Sequence, residues 1–278
     1  MHHALLIDEV LEVILDECLN WSHKERRYAL RQLARCCKAW KDPALDRLWC
    51  RLDDAKPLLR LLPDCGMPQR GLYTHKDLYP DTDLTTFLSY AARVKGIMHR
   101  HFLGPLASSQ SPGLILLPRL SSITLWFQGC DSDRCWMVSP ALRHVEVNIG
   151  FVDDSATDVA SRSDAVASYL DVAKSFAPDL QTLRLRGRMT DQLNSTVASM
   201  THLTVLTVLT SDYLGMQTLA AIATFPALRE LNFHASRGCC DEFRDALAPL
   251  KGPYFPSLSL LRMRSPGPLP RRYWSSFL

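Results

Sequence analysis

From Ile7 to Cys18 the apolar residues Ile7, Val10, Leu11, Ile14 and Cys18 recur at i, i+3, i+4, i+7 and i+11, while Glu9, Glu12, Asp16 and Glu17 occupy the opposite arc. This period predicts an amphipathic helix. The pattern breaks at Asn20-Trp21, and Ser22-His23-Lys24-Glu25 has the S-x-x-E form in which a Ser hydroxyl and a Glu carboxylate cap free amides reciprocally. A second helix is predicted from there, with Tyr28, Ala29, Leu30, Leu33, Cys36, Cys37 and Trp40 on its apolar face, interleaved with Arg26, Arg27, Arg31, Arg35 and Lys38. Asp42-Pro43 interrupts it, because Pro is tolerated in a helix's first turn, and Leu45, Leu48, Trp49 and Leu52 begin a third short helix. A chain of ~60 residues buries only about 60% of its unfolded surface. So long an apolar stripe on so small a unit predicts that part of it is covered by something else.

Residues 53–110 lose this regularity. Pro57, Pro63, Pro68 and Pro80 with Gly66 and Gly71 mark turns, and only Leu84 to Ile97 has helical spacing, at Phe87, Leu88, Ala91, Val94 and Ile97. The stretch reads as a connection that packs on the second domain. Residues 111–278, which form that domain, carry an internal repeat of the form Leu-x-x-Leu-x-Leu. The first copy is Leu120, Ile123 and Leu125; the next are Leu142, Val145 and Val147, then Leu180, Leu183 and Leu185. Three more lie at Leu203, Leu206 and Val208, at Leu228, Leu231 and Phe233, and at Leu258, Leu261 and Met263. The copies are 22, 38, 23, 25 and 30 residues apart, and in most of them Pro comes shortly before the first Leu, as in Pro226-Ala227-Leu228, where its fixed φ suits the start of a strand.

The intervals read as helices. Ser161-Arg162-Ser163-Asp164 resembles a capping box leading into Val166, Tyr169, Leu170, Ala173 and Phe176; Leu193, Val197 and Met200, then Leu219 and Ile222, then Phe243, Leu247 and Leu250 continue the idea. Strand plus helix per unit, with no unit able to bury its apolar face alone, predicts an irregular leucine-rich-repeat α/β solenoid with a parallel sheet. A non-repetitive α/β domain with Leu-rich parallel strands is the competing reading. In the solenoid, side chains between the Leu positions point away from the core onto a concave sheet. They are Thr124 and Trp126, Glu146 and Asn148, Arg184 and Arg186, Thr207 and Leu209, Asn232 and His234, and Arg262 and Arg264. The four Arg with Trp126 suit an acidic segment of a target protein, since Arg and Trp are favoured interface anchors, with Glu146, Asn232 and His234 beside them. An ordinary solvated sheet face is the alternative.

Composition narrows the function. The 278 residues are 47% hydrophobic and 22% charged, which excludes wholesale disorder, and 32 Lys and Arg against 29 Asp and Glu leave +3, too little to argue for nucleic acid or an anionic membrane. The charge is nevertheless ordered locally: residues 1–19 carry five acids and no Lys or Arg, and residues 20–60 carry eleven bases and five acids. The amino terminus lacks the basic start of a secretory signal, and no run of ~18 apolar residues occurs, so an intracellular protein of cytoplasm or nucleus is expected. Nine scattered cysteines without a C-x-x-C pair read as reduced thiols. No G-x-S-x-G, H-E-x-x-H, Walker loop or G-x-G-x-x-G occurs, and Asp131-Ser132-Asp133 near Cys130 and Cys135, His99-Arg100-His101 and His2-His3 are poor metal sets. Neither catalysis nor a cofactor or metal is expected. At the other end Pro266, Pro268 and Pro270 lead to Tyr273, Trp274, Phe277 and Leu278, an apolar close to a solenoid that needs a polar cap. Either the chain is shortened there or these aromatics fold back as the cap.

One resemblance is specific. Ile7-Asp8-Glu9-Val10 with Ile14, then Leu33-Ala34-Arg35-Cys36-Cys37-Lys38-Ala39-Trp40, then Asp42-Pro43-Ala44-Leu45 and Leu48-Trp49 resemble the F-box in order and spacing. Ala44-Leu45-Asp46-Arg47-Leu48-Trp49 is similar to the form found in F-box proteins of mushroom-forming fungi, and Phe87…Tyr90-Ala91-Ala92-Arg93-Val94 resembles the stretch after the F-box in those proteins. Asp8 stands where the family usually has Pro, and Asn20 to Arg27 is longer than the usual link. The resemblance implies a three-helix F-box-like module over residues 1–52 that docks on the Skp adaptor, and through it on a cullin–RING ubiquitin ligase. The positions matching family contacts are Ile7, Glu9, Val10, Ile14, Cys36, Cys37, Trp40, Leu45 and Trp49. The expected function is then target recognition for ubiquitin transfer. A repeat scaffold whose N-terminal helices cap the solenoid, with no ubiquitin role, is the alternative.

Overall fold

The computed structural model describes residues 7–62, 83–99, 115–126, 137–150, 156–210, 214–234, 248 and 253–264. Within them the chain is an α/β protein built on one sheet of eight strands, in the order β1-β2-β3-β4-β5-β6-β7-β8 with every neighbouring pair parallel, a solenoid-like arrangement. The strands are β1 (Arg51–Leu52), β2 (Gly96–His99), β3 (Ser122–Trp126), β4 (His144–Gly150), β5 (Thr182–Gly187), β6 (Val205–Thr210), β7 (Glu230–His234) and β8 (Leu260–Arg264). The described helices are α1 (Asp8–Glu17), α2 (His23–Cys36), α3 (Lys38–Trp49), α4 (Lys56–Leu59), α5 (Thr85–Ala91), α6 (Ala156–Phe176), α7 (Asp191–Ala198) and α8 (Met216–Ala223). None of them is long and apolar enough to cross a membrane.

All six Leu-x-x-Leu-x-Leu segments form strands in one register: Ile123, Val145, Leu183, Leu206, Leu231 and Leu261 are consecutive partners. Their period of two sends the middle and last apolar positions to one face, where α6, α7 and α8 cover them. The prolines act one step earlier than the strand start. Leu120, Leu142, Leu180 and Leu258 each donate an amide to the carbonyl three residues back, at 3.0–3.2 Å, so Pro118, Pro140, Pro178 and Pro256 hold the second position of a four-residue turn. After each turn one carbonyl receives two amides of the next unit. The Arg143 carbonyl takes Gln181 and Thr182, that of Gln181 takes Thr204 and Val205, and that of Thr204 takes Arg229 and Glu230, all at 2.8–3.0 Å. The Ser121, Thr204 and Ser259 hydroxyls donate to carbonyls of this kind, those of Lys95, Gln181 and Arg229, at 3.0–3.1 Å.

The sheet starts earlier than the sequence pattern suggests. β1 and β2 lie within or at the edge of the stretch read as a connection, with Leu52 opposite Ile97 and Ile97 opposite Ile123. Val94, Ile97 and His99 are a further copy of the repeat, all buried, with a histidine in the third apolar place. The helical spacing from Leu84 to Ile97 therefore covers two elements: α5 ends at Ala91, and Val94 closes a turn onto the Ala91 carbonyl at 3.1 Å. α6 also differs from expectation. It begins at Ala156, so Ser161 to Asp164 lie inside it; the Ser163 hydroxyl donates to the Arg188 carbonyl at 3.0 Å and Asp164 accepts from Thr190 at 2.8 Å. Those side chains serve the packing of the next unit instead of a cap. The cap is Thr190, which accepts from the Leu193 amide at 3.3 Å and opens α7. Phe243, Leu247, Leu250 and the aromatic close after Pro266 lie outside the described residues.

Tyr169 is one of the largest fully buried side chains, and its hydroxyl donates to the Met137 carbonyl at 3.2 Å, fastening α6 to the segment ahead of β4. Tyr169→Phe removes that hydrogen bond while keeping the ring. A loss of about 1 kcal/mol in urea unfolding is expected.

The N-terminal helices have their own core of Leu11, Leu15, Cys18, Leu30, Trp40 and Ala44. The break between the second and third helices is at Cys37, in extended conformation, not at Asp42-Pro43; Pro43 sits inside α3. Having no amide hydrogen, Pro43 leaves the Ala39 carbonyl one turn earlier without its intrahelical donor. At the start of α2 the Ser22 hydroxyl accepts from the Glu25 amide at 3.4 Å and donates to the Glu25 carboxylate at 2.5 Å, so half of the expected reciprocal cap forms.

Candidate functional site

Two surfaces collect the residues singled out by sequence. The first is on the N-terminal helices. α1 and the turn after it bury Leu11, Leu15 and Cys18, spaced at i, i+4 and i+7, and turn Ile7, Val10 and Val13 outward. Among the described residues eight large hydrophobic side chains are exposed, and six of them lie between residues 7 and 28: Ile7, Val10, Val13 (70% exposed), Leu19, Trp21 and Tyr28 (67%). Single exposed hydrophobics are ordinary on a protein surface, whereas a contiguous group of them marks an interaction site. Tyr28 belongs to the stripe expected to form the second helix's packing face, yet only Leu30 of that helix is fully buried.

The matched contact positions do not form one patch. Ile7, Glu9 and Val10 are exposed on α1, and Ile14 is half-buried against the helical core. Cys36 is exposed and Cys37 half-buried at the α2–α3 break, and Leu45 is half-buried on α3. Trp40 is buried at 6% exposure in the helical core. Trp49 packs against the sheet core, with its ring 4.6 Å from that of Tyr90. Val13, Leu19 and Trp21 are exposed apolar residues that helical periodicity did not assign, and Tyr28 is one that it assigned to a packing face, because a stripe's period does not say which arc a neighbouring element leaves open.

Salt links hold this module in place. Arg47 donates to Asp16 at 2.8 and 2.9 Å, joining α3 to α1. Arg93 donates to the Asp42 carboxylate at 2.7 Å, to the Asp42 carbonyl at 3.1 Å and to Asp46, joining the end of α5 to α3. Cys18, Cys36 and Cys50 are free thiols, and burial pushes the Cys18 thiol above its ordinary pKa, which keeps it protonated and inert.

The second surface is the sheet face opposite α6–α8. One row runs Thr124, Glu146, Arg184, Thr207, Asn232 and Arg262 across β3–β8, and the next begins Trp126, Asn148, Arg186 and Leu209, with His234 opposite Arg264 at its far end. At about 4.8 Å per strand, Arg184 and Arg262 stand about 14 Å apart, whereas Trp126 is roughly 24 Å from β8. Trp126 therefore joins the β5 arginines and not those of β8. Arg184, Arg186 and Arg262 are exposed, as is Glu146 in the neighbouring place on β4. His234 is held by the Thr210 carbonyl at 2.8 Å, so its Nδ1 carries the proton. Asn232 Oδ1 is buried without a hydrogen-bond partner among the described residues.

No family model matches the chain, and no curated protein does either.

Proposed function

We propose that this chain is an F-box protein, the target-recognition subunit of a Skp–cullin–RING ubiquitin ligase, with a leucine-rich-repeat domain as its target-holding part. The observation that carries the reading is the exposed apolar surface of residues 7–28, on a helical unit that already has a core of its own. Exposed apolar side chains on a unit with a complete core are material for a partner interface, and the F-box resemblance supplies the partner's class, the Skp adaptor. The repeat domain offers its arginine-bearing sheet face to an acidic segment of the target. The mechanism is proximity: holding a target lysine near the ubiquitin-carrying enzyme raises its effective concentration, with no catalytic residue in this chain.

Val10→Asp/Val13→Asp places two charges on the apolar face without touching Leu11 or Leu15. The wild type should co-purify with a Skp adaptor and the variant should lose it by about tenfold or more, with an unchanged melting curve. Equal recovery of adaptor by both would contradict docking through α1.

A second reading has support in the Trp49–Tyr90 contact and the Arg93 bridge to Asp42 and Asp46, which tie α3 to the beginning of the sheet. In that reading the helices cap a non-catalytic scaffold. A chain that never binds the adaptor but aggregates when residues 1–48 are removed favours it.

A further inference from the structure

Between the helical module and the first strand lies a cleft of about 400 Å³ that shares only Leu19 with the surfaces above. Its wall brings together four arginines, Arg26 and Arg27 from α2, Arg47 from α3 and Arg51 from β1, with the His23 imidazole of α2 beside them, and no carboxylate lines it. Leu19, Leu30 and Leu48 supply an apolar floor. Two acids lean in from the rim. Asp53 bonds His23 at 2.7 Å and Arg27 at 3.5 Å, and Asp16 takes Arg47. Among the described residues no carboxylate lies within 4 Å of Arg26 or Arg51, so two guanidinium groups remain unneutralised beside those of Arg27 and Arg47. The basic excess of residues 20–60 is thus folded in part into one concavity instead of being spread over solvated faces.

Like charges drawn together over a low-dielectric wall create a strong positive potential, and an anion relieves it. Guanidinium groups present planar forks of N–H donors that match phosphate oxygens. The volume lies in the range of small-ligand pockets, roughly 300–1,000 Å³, and the leucine floor has no use for a bare inorganic ion. We propose that this cleft binds a soluble organic phosphate, its phosphate held by Arg26 and Arg51 and its apolar body on Leu19, Leu30 and Leu48. The site is independent of adaptor docking, and either stands if the other falls.

The probe is 1-naphthyl phosphate, titrated into the full chain by fluorescence or calorimetry, with 1-naphthol and inorganic phosphate as comparisons. The ester should bind at least about tenfold tighter than either part, since each charged hydrogen bond and the apolar contact add to one another. Arg26→Gln/Arg51→Gln should weaken it by about tenfold or more with an unchanged melting curve, because Arg51 is exposed and Arg26 half-exposed. The single variant Arg51→Gln, on the surface of β1, repeats the test if the pair unfolds the helices. Binding no tighter than that of inorganic phosphate, or binding that the variants leave unchanged, overturns the proposal. Co-sedimentation with phosphatidic-acid vesicles in place of binding to the free ester would overturn the soluble assignment in favour of a membrane-borne phosphate.

Discussion

Gly187→Ala should lower stability by about 3–5 kcal/mol, among the largest effects available to a single methyl group in this chain. Gly187 ends β5 at φ +135°, a conformation that L residues rarely adopt, and a Cβ there would stand 2.7 Å from Ile149 Cβ and 2.9 Å from the Gly150 carbonyl oxygen. Neither neighbour yields cheaply. Ile149 is buried in the sheet core, and Gly150 closes the irregular end of β4, where the Asn148 side chain accepts the Gly150 amide at 3.0 Å and the register shifts. The added methyl must therefore move backbone in the middle of the sheet. Gly96 in β2 is the matched comparison: a Cβ there meets Arg51 Cγ at 3.4 Å and the Ser122 oxygen at 3.8 Å, ordinary contacts. Gly96→Ala should change stability by less than about 1 kcal/mol, because the loss of chain entropy in the unfolded state offsets any crowding. Urea unfolding of the two variants beside the wild type reads the difference, and equal midpoints would contradict the tight β4–β5 packing.

Trp40→Ala should unfold the N-terminal helices while the sheet domain stays folded. Removing a buried Trp costs about 3–5 kcal/mol, and the core it belongs to has only Leu11, Leu15, Cys18, Leu30 and Ala44 besides. So small a unit has little stability in reserve. The larger core contains neither Trp40 nor any of those residues, so it loses no buried member and gives up only the packing of Trp49 at its edge. Hydrogen exchange should show residues 8–49 losing protection and β3–β7 retaining it, with a parallel loss of helical circular dichroism. Cooperative loss of both regions would mean that the two cores fold as one. The same reasoning disqualifies Trp40 as a probe of adaptor contact: its loss of binding would report unfolding, which the exposed Val10 and Val13 avoid.

The sheet was largely legible from sequence because a parallel strand covered on one face repeats its apolar residues with a fixed offset. Ile123, Val145, Leu183, Leu206, Leu231 and Leu261 could be aligned by eye, and they are register partners. β1 and β2 were not legible. Arg51–Leu52 is too short to show a period, and the third apolar place of β2 is His99, buried but polar. In the helical module the elements could be read but their exposure could not. Helical period marks an apolar arc, and only the fold shows that Leu11, Leu15 and Cys18 are committed to the core and that Ile7, Val10 and Val13 stay outside. The break at Cys37 was hidden behind Pro43, the stronger local signal. For the outward sheet positions, alternation placed Arg184, Arg186 and Arg262 on one face. The distance between Trp126 and β8 depended on strand order, which no local pattern contains.

The central claim, that the apolar face of residues 7–28 is an adaptor-docking surface, is tested most directly by mixing the full chain with a purified Skp adaptor and measuring the mass of the product by light scattering during gel filtration. A one-to-one complex, formed by the wild type and absent with Val10→Asp/Val13→Asp, is the predicted result. Separate elution of two folded wild-type partners at micromolar concentration would contradict it.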